Sequence, residues 1–415
     1  MKILFLTLGY PDEKSGRNIY SDLMGEFYEQ GDEVYVVCQR ERRYGQPTEF
    51  IMENGIHVLR VRTGNITQTT LVEKGISTLL LEKQYVRAIK KYLHHVKFDL
   101  LLYSTPPITF EYVVKYVQQR DGCTNYLLLK DIFPQNAVDI GMLKEKGFIW
   151  RYFREKERRL YALSDYIGCM SRANVDYILR HNPEIEQSKV EECPNCIKPL
   201  PLRSVNRDRN YIRDKYGIPR DAVVFIYGGN LGKPQGVDFL LGVLDVIRER
   251  EDLFFLIVGS GTEYKRIEEQ IHQCGYSNVI LKKSVPKVEY DELLESCDVG
   301  LIFLDSRFTI PNFPSRLTSY MEMALPVACA TDRHTDIKDV VMEANCGLWA
   351  ESNDVDGFIR VLNQLGSDPV RRARMGINGR KYLEQHYTVS RAYRIIASHM
   401  KENIPLSEAG MHVYR

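Results

Sequence analysis

Two short stretches hold the residue types that bind phosphate. In 228-GGNLGKPQG-236, glycines and one cation, Lys233, lie between an apolar run (222-AVVFI-226) and an amphipathic one (237-VDFLLGVLDVIRER-250). A glycine-rich turn from a buried strand to a helix lets backbone N–H groups close on an anion, and the helix N-terminus favours negative charge there. In 314-PSRLTSYMEMALPV-327, proline then serine ahead of an apolar helical pattern marks a helix start. Ser315 is expected to cap that helix. The N–H groups of Arg316 and Leu317 can then face an anion, and the Arg316 guanidinium can grip phosphate with two hydrogen bonds. Each stretch also has a plainer reading: a tight connection with Lys233 in solvent, and an ordinary capped helix with Arg316 on the surface.

Three other motifs fail on inspection. The glycine turn is not a P-loop, because Pro234 stands where Ser or Thr is needed. The string 259-GSGTEY-264 has Tyr264 in place of the third glycine of a dinucleotide fingerprint. The pair in 193-CPNC-196 cannot complete a zinc site by itself, and it sits in a linker rather than at a helix start after a strand.

The elements that must position these residues are short apolar runs alternating with helical patterns. They begin at Ile3, Val34, Ile56, Leu100, Tyr126 and Tyr166 in the first half, and at Val223, Phe254, Val279, Val299 and Val327 in the second. Strand and helix in alternation mean parallel sheets covered on both faces. The chain therefore reads as α/β, with two Rossmann-like, doubly wound domains facing across a cleft. Such sheets bind ligands at the carboxyl ends of their strands. The proline-rich, aperiodic stretch 194–210 marks the boundary. It gives a first domain over 1–198, a second over 199–385, and a tail, 386–415, whose helix is expected to return to the first domain because its apolar positions need a surface to cover.

The ordered set 9-GYPDEKSG, 31-GDEVYVV, 131-DIFPQNAVDIG, 164-SDYIGCMS, 195-NCI, 229-GNLGKPQG, 258-VGSG, 297-CDVGLIF and 314-PSRLTSYMEMALPV resembles glycosyltransferase family 4 over nearly the whole chain. Its DIFP and GNLG-x-PQG forms resemble the branch that builds bacterial surface polysaccharides. The resemblance implies the GT-B fold. It also implies transfer of a sugar, with retention, from a nucleotide-diphosphate sugar (UDP- or GDP-linked), with no metal and no further cofactor. The implied acceptor is a glycan or a lipid-linked glycan. The diphosphate would lie at Ser315, Arg316 and Leu317, and the donor would also meet Gly16, Arg17, Gly229, Asn230, Lys233, Gln235, Gly259, Val285 and Ser319. Asn230 and Gln235 stand where most members have Arg and Lys. Pro311 and Ser319 stand where most have two glutamates, and Glu322 falls in another register. Departure of a diphosphate leaves negative charge that must be stabilised as it develops. Lys233 and Arg316 are the cations available for that task. Asp131 follows the run 126-YLLLK-130 at a strand's carboxyl end, and could orient an acceptor hydroxyl or simply cap the next turn.

Composition narrows the alternatives. Lys plus Arg is 56 and Asp plus Glu is 55, a balance unlike that of a nucleic-acid binder. Nine cysteines scattered along 415 residues fit a reducing cytoplasm better than a disulfide framework. The start of the chain is too quickly polar for a signal peptide, and no apolar run approaches the ~20 residues of a membrane span. The stretch 144-KEKGFIWRYFREKERRLY-161 mixes aromatics with basic residues. It suits either the inner membrane's anionic surface, as a peripheral contact, or a domain helix with a charged outer face. Two further functions stay open from the residues alone: an NAD-dependent oxidoreductase, for which no intact glycine fingerprint follows the first strand, and an inactive relative that binds nucleotide-sugars as a scaffold.

Overall fold

The computed structural model describes residues 1–12, 16–67, 69–202 and 209–401. Parts of the 9–16 and 194–210 stretches, and the tail from 402 to 415, lie outside the described residues. The first domain opens with β1 (Lys2–Thr7), α1 (Ile19–Glu29), β2 (Glu33–Glu41), β3 (Glu49–Glu53) and β4 (Ile56–Thr63). It continues through α2 (Leu71–Tyr92), β5 (Leu100–Ser104), α3 (Glu111–Asp121), β6 (Thr124–Leu129) and α4 (Gln135–Asp139). It closes with α5 (Phe148–Leu163), β7 (Tyr166–Cys169), α6 (Arg172–His181) and β8 (Val190–Glu192). The second domain holds α7 (Arg209–Tyr216), β9 (Val223–Asn230), α8 (Val237–Ile247), β10 (Leu253–Ser260), α9 (Tyr264–Cys274) and β11 (Val279–Lys282). After these come α10 (Lys287–Ser296), β12 (Val299–Phe303), α11 (Arg316–Glu322), β13 (Val327–Thr331), α12 (Ile337–Glu343) and β14 (Gly347–Glu351). Three helices close the described part of the chain: α13 (Val355–Ser367), α14 (Pro369–His386) and α15 (Val389–Lys401).

The strands form two sheets, ordered β3-β4-β2-β1-β5-β6-β7-β8 and β11-β10-β9-β12-β13-β14. This is the doubly wound α/β architecture that the alternation implies. Every pairing is parallel except β3 with β4, a hairpin whose turn residues Asn54 and Gly55 both have positive φ. The sequence reading passed over β3, although Asn-Gly is the usual signal for such a turn. It also passed over β8 and β14. In each sheet the winding reverses beside the first strand: β1 lies between β2 and β5, and β9 between β10 and β12. Ligands bind at such reversal points. The glycine turn after β9 and the loop after β1 occupy them.

The first sheet is covered on one face by α2, α3, α5 and α6, and on the other by α1 and α15. α15 follows the second domain in sequence but packs on the first. Val389, Ala392 and Ile396 are buried with Leu23 and Phe27 of α1, and Tyr393 meets the Phe27 ring edge-on at 4.9 Å. His399 reaches Glu191 at 2.8 Å. Among the described residues, no helix is long and apolar enough to cross a membrane.

A loop after β12 fastens the domains together. Its Phe308 and Ile310, 2% and 0% exposed, are buried in the apolar core of the first domain. Asp139 of α4 accepts hydrogen bonds from the Thr309 N–H at 2.7 Å, the Thr309 hydroxyl at 2.9 Å and the Ile310 N–H at 3.3 Å. Asn174 donates to the Pro311 carbonyl, and the Ala173 N–H to Asp336 at 2.9 Å. Removing Phe308 leaves a void that its tightly packed neighbours cannot fill. Phe308→Ala is expected to cost about 3–5 kcal/mol, read as a lower midpoint in denaturant unfolding. A cost below about 0.5 kcal/mol would show that the loop is not seated in this core.

Candidate donor site at the end of β9

Alternation along β9 buries Tyr227, and its hydroxyl donates to the Asn230 carbonyl at 2.7 Å and lies 3.0 Å from the Gln235 side-chain amide. Those two contacts hold the turn. Gln235 therefore faces inward, and Lys233 stands exposed on the single 3-10 turn Lys233–Gln235, its ammonium without hydrogen bond or ion pair among the described residues. Gly229 has φ +127°, a conformation that residues with a side chain rarely adopt. A Cβ at Gly228 would fall 1.8 Å from the Tyr290 hydroxyl, and one at Gly259 would fall 2.0 Å from the Gly229 carbonyl oxygen. Only glycine lets the strand ends close up this way.

α11 crosses above this turn. Its Tyr320 hydroxyl lies 3.1 Å from both the Ile226 and Leu301 carbonyls and 3.4 Å from the Gly228 N–H, which pins the helix across β9 and β12. Four residues earlier on the same helix face is Arg316. Its guanidinium carbon sits 4.3 Å from the centre of the Tyr227 ring, and Nη2 lies 3.4 Å from where a Gly229 Cβ would be. Nη1 is buried without a hydrogen-bond partner, and the side chain forms no salt bridge among the described residues. Burial works against the Arg316 charge, but the oxygens of Tyr227 and Tyr320 outweigh it and push its pKa up. The guanidinium is thus a permanent cation, stacked on a ring, facing a glycine turn, with donor capacity unused.

The remaining sequence candidates fall into three groups. Asn230, its side chain exposed, and Gly229 end β9 at the turn, and the Arg316 guanidinium lies beside Gly229. Ser319 lies half-buried on the next turn of α11, and Val285 half-buried against the apolar cluster that includes Tyr290. The second group sits beside this helix but acts differently from expectation. Ser315 does not cap α11: it has helical angles, φ −64° and ψ −15°, and its side chain makes no capping bond. The Leu317 N–H is already bonded to the Pro314 carbonyl at 3.3 Å, and the Leu317 side chain is core. The helix therefore tightens into a 3-10 start with Ser315 inside it, where a capping geometry is not accessible.

The third group belongs to the first domain. Gly16, at φ +83°, lies so near the second domain that a Cβ would come 3.1 Å from Cβ of Lys287. Arg17 bonds Asp22 at 2.9 Å, the Lys198 carbonyl and the buried Glu322 of α11, so its charge is neutralised at the domain junction. Asp131 follows β6, accepts from Asn136 Nδ2 at 2.7 Å, and is pushed up to about 6 by burial against the pull of Asn136 and the Ile132 N–H. The sequence reading missed Tyr227, Tyr290 and Tyr320. Tyrosines inside apolar patterns read as core, and nothing in spacing announces that three of them surround one arginine.

Residues 208–382 match the family model of glycosyl transferases group 1. The "Probable glycosyltransferase WbjE" of Pseudomonas aeruginosa is 21% identical over 322 residues, spanning 74% of this chain and 78% of that protein. A GDP-mannose-dependent monoacylated alpha-(1-6)-phosphatidylinositol monomannoside mannosyltransferase of Corynebacterium glutamicum is 28% identical over 196 residues, 44% of this chain and 48% of that one. The solved structure of Anabaena HepE in complex with UDP-glucose superposes with a TM-score of 0.68 at 15% identity, covering 97% of this chain and 100% of that one. The chain has the GT-B fold, and its residues 208–382 are similar to the glycosyl transferases of group 1.

Proposed function

We propose that this protein transfers a sugar, with retention of configuration, from a UDP- or GDP-sugar to a glycan on a lipid carrier, in the synthesis of a surface polysaccharide at the cytoplasmic face of the membrane. The observation that carries the reading is Arg316: a half-buried cation with no carboxylate, stacked on Tyr227 over the Gly228–Gly229 turn. Such a group lacks an anion, and a diphosphate supplies one with oxygens for two parallel hydrogen bonds. Two likenesses support the donor and acceptor classes: HepE was solved with UDP-glucose, and the Corynebacterium relative is named for GDP-mannose and a phosphatidylinositol mannoside.

In this reading the departing diphosphate gains charge as the sugar bond breaks. Arg316 and Lys233 then favour the transition state over the bound donor. Gln235 and Asn230, which replace the charged residues usual in the resembling family, shape the turn through Tyr227. Asp131 orients the acceptor hydroxyl, and the leaving phosphate takes that hydroxyl's proton on the same face of the sugar. Glu322 neutralises Arg17 at the junction and takes no part in holding the donor.

Calorimetry on Arg316→Ala tests the carrying observation. Affinity for the nucleoside diphosphate should fall on the order of 100-fold while nucleoside binding is unchanged. Equal losses for both ligands would place Arg316 away from the phosphates. Because Arg316 supplies the charge, nucleotide binding should persist in chelator, and its abolition by chelator would contradict the reading. Lys233→Ala should lower turnover more than donor affinity, with partial recovery in Lys233→Arg. Wild-type turnover in Lys233→Ala would mark that lysine as merely solvated.

Asp131 gives a pH prediction. Its folded pKa, about 6, lies above the ordinary 3.8, so its contribution to stability is present below about pH 4 and lost as pH rises through 6. Asp131→Asn has no such proton to lose. Its melting temperature relative to wild type should therefore rise between pH 4 and pH 7. A difference that stays constant across that range would show Asp131 solvated as an ordinary carboxylate.

A further inference from the structure

Position 60 breaks the pattern of its strand. Along β4, residues 56, 58 and 60 lie on the face that α1 covers, and Ile56 and Val58 are buried in that core with Val36 and Cys38 of β2. Alternation predicts a third apolar residue there. The chain has Arg60 instead, only 7% exposed. A cation stays in such a core only where its hydrogen bonds offset the loss of water. A local rule broken in this way marks a position with a task.

The partners of Arg60 define the task. Nη1 donates to the Tyr10 carbonyl at 3.1 Å and lies 3.8 Å from the Cys38 sulfur. Nη2 donates to the Pro11 carbonyl at 3.0 Å and to Glu53 Oε2 at 2.6 Å. Two successive main-chain carbonyls of the loop after β1 are thus held by a side chain from β4, two strands away in the sheet. Glu53 is the counter-ion, and the Asp12 carboxylate, next along the loop, favours the charge as well. Glu53 ends β3, so the antiparallel hairpin has a use: it turns this carboxylate back onto the face where Arg60 lies.

The loop is also held where it lands. Arg17 bonds Asp22 at 2.9 Å and reaches Glu322 of the second domain. Asn18 caps α1, its Oδ1 accepting from the Tyr20 and Ser21 N–H groups at 2.9 Å each. Between the two holds comes the close approach of Gly16 to Lys287, beside the winding reversal of the first sheet.

We propose that Arg60 is a positioning residue for the transferase reaction: it sets the direction in which the β1 loop leaves the sheet, and so the place where Gly16 and Arg17 meet the second domain beside the donor. The inference rests on the proposed donor site and adds to it a residue that touches no substrate. Arginine suits the position because its planar fork addresses two neighbouring carbonyls and a carboxylate at once, which the single ammonium of lysine does not.

The test compares two paired substitutions in the full-length protein. Arg60→Gln with Glu53→Gln releases the loop and leaves no buried carboxylate behind. Arg40→Gln with Glu49→Gln removes the other ion pair of the same hairpin, closed at 2.9 Å, which bonds no residue of the loop. Amide exchange, read by mass spectrometry without substrate, should quicken about tenfold over residues 17–22 in the first pair, the effect of losing one charge-assisted hydrogen bond. It should stay as in wild type in the second. Turnover of UDP-glucose or GDP-mannose should fall on the order of 100-fold in the first pair, while nucleoside diphosphate affinity, which Arg316 sets, holds within about twofold. Arg60→Lys should lie between the first pair and wild type, and it carries the same comparison if the first pair does not fold. Equal exchange and turnover in the two pairs would reduce Arg60 to an anchor of the hairpin and overturn the proposal. So would wild-type turnover in a protein whose residues 17–22 have loosened, or a first pair that melts lower but exchanges and turns over like wild type. The exchange measurement needs no donor, so wild-type protein that binds neither nucleotide would remove the donor reading and still leave the hold on the loop decided.

Discussion

The second domain is arranged around a half-buried cation that has no anion among the described residues. Arg316 cannot give up its proton, and among the described residues it has no carboxylate to lean on. What it has is the face of Tyr227, an attraction of roughly 0.5–2 kcal/mol, and the oxygens of neighbouring tyrosines. The surrounding features follow from keeping that guanidinium where it is. Tyr320 anchors α11 to two strand carbonyls, so the arginine one turn earlier has a fixed origin. Gly228 and Gly229 leave the space a side chain would fill. Gln235 and the Asn230 carbonyl hold the Tyr227 hydroxyl, and with it the ring.

The second organising contact is between the domains. Ordinarily an interface within a chain is modest and polar, and relative motion is the default. Here a loop of the second domain places two apolar side chains in the core of the first, and Asp139 takes three hydrogen bonds from that same loop. On the other side of the cleft, Gly16 comes within contact of Lys287, and Arg17 is shared between Asp22 and Glu322. The arrangement is a closed one. Opening it would expose Phe308 and Ile310 to water and leave Glu322 buried without its cation, a costly state.

Much of this was legible in the order of residues. Alternating apolar runs and helical patterns carry the two sheets, because a strand buried on both faces must be apolar throughout, as 223-VVFI-226 and 253-LFFLIV-258 are. The glycine turn announced itself by composition, and the winding reversal at β9 explains why it lies where ligands bind. Contacts between distant residues were not legible. Glu322 looks like a near miss for a family glutamate until Arg17, 305 residues earlier, is seen against it. Ser315 has the composition of a cap, but a 3-10 bond to Pro314 draws it into the helix. Phe308 and Ile310 lie in an aperiodic loop, and periodicity says nothing about a loop whose side chains are buried in another domain.

The crossing between the domains has a topological meaning. The chain leaves the first domain at Ile197 and re-enters it at Thr388, and these two points are hydrogen-bonded neighbours: the Ile197 N–H bonds the Tyr387 carbonyl at 2.9 Å and the Val389 N–H bonds the Ile197 carbonyl at 3.0 Å. With α15 completing the layer over α1, the first domain is one body made from both ends of the chain, and the second is an insert whose entry and exit lie side by side. Seen this way, the second domain is a cassette. It joins its host at a single junction and through the seat of Phe308 and Ile310 in the first core, and a cut anywhere before α15 strips a face from the first sheet.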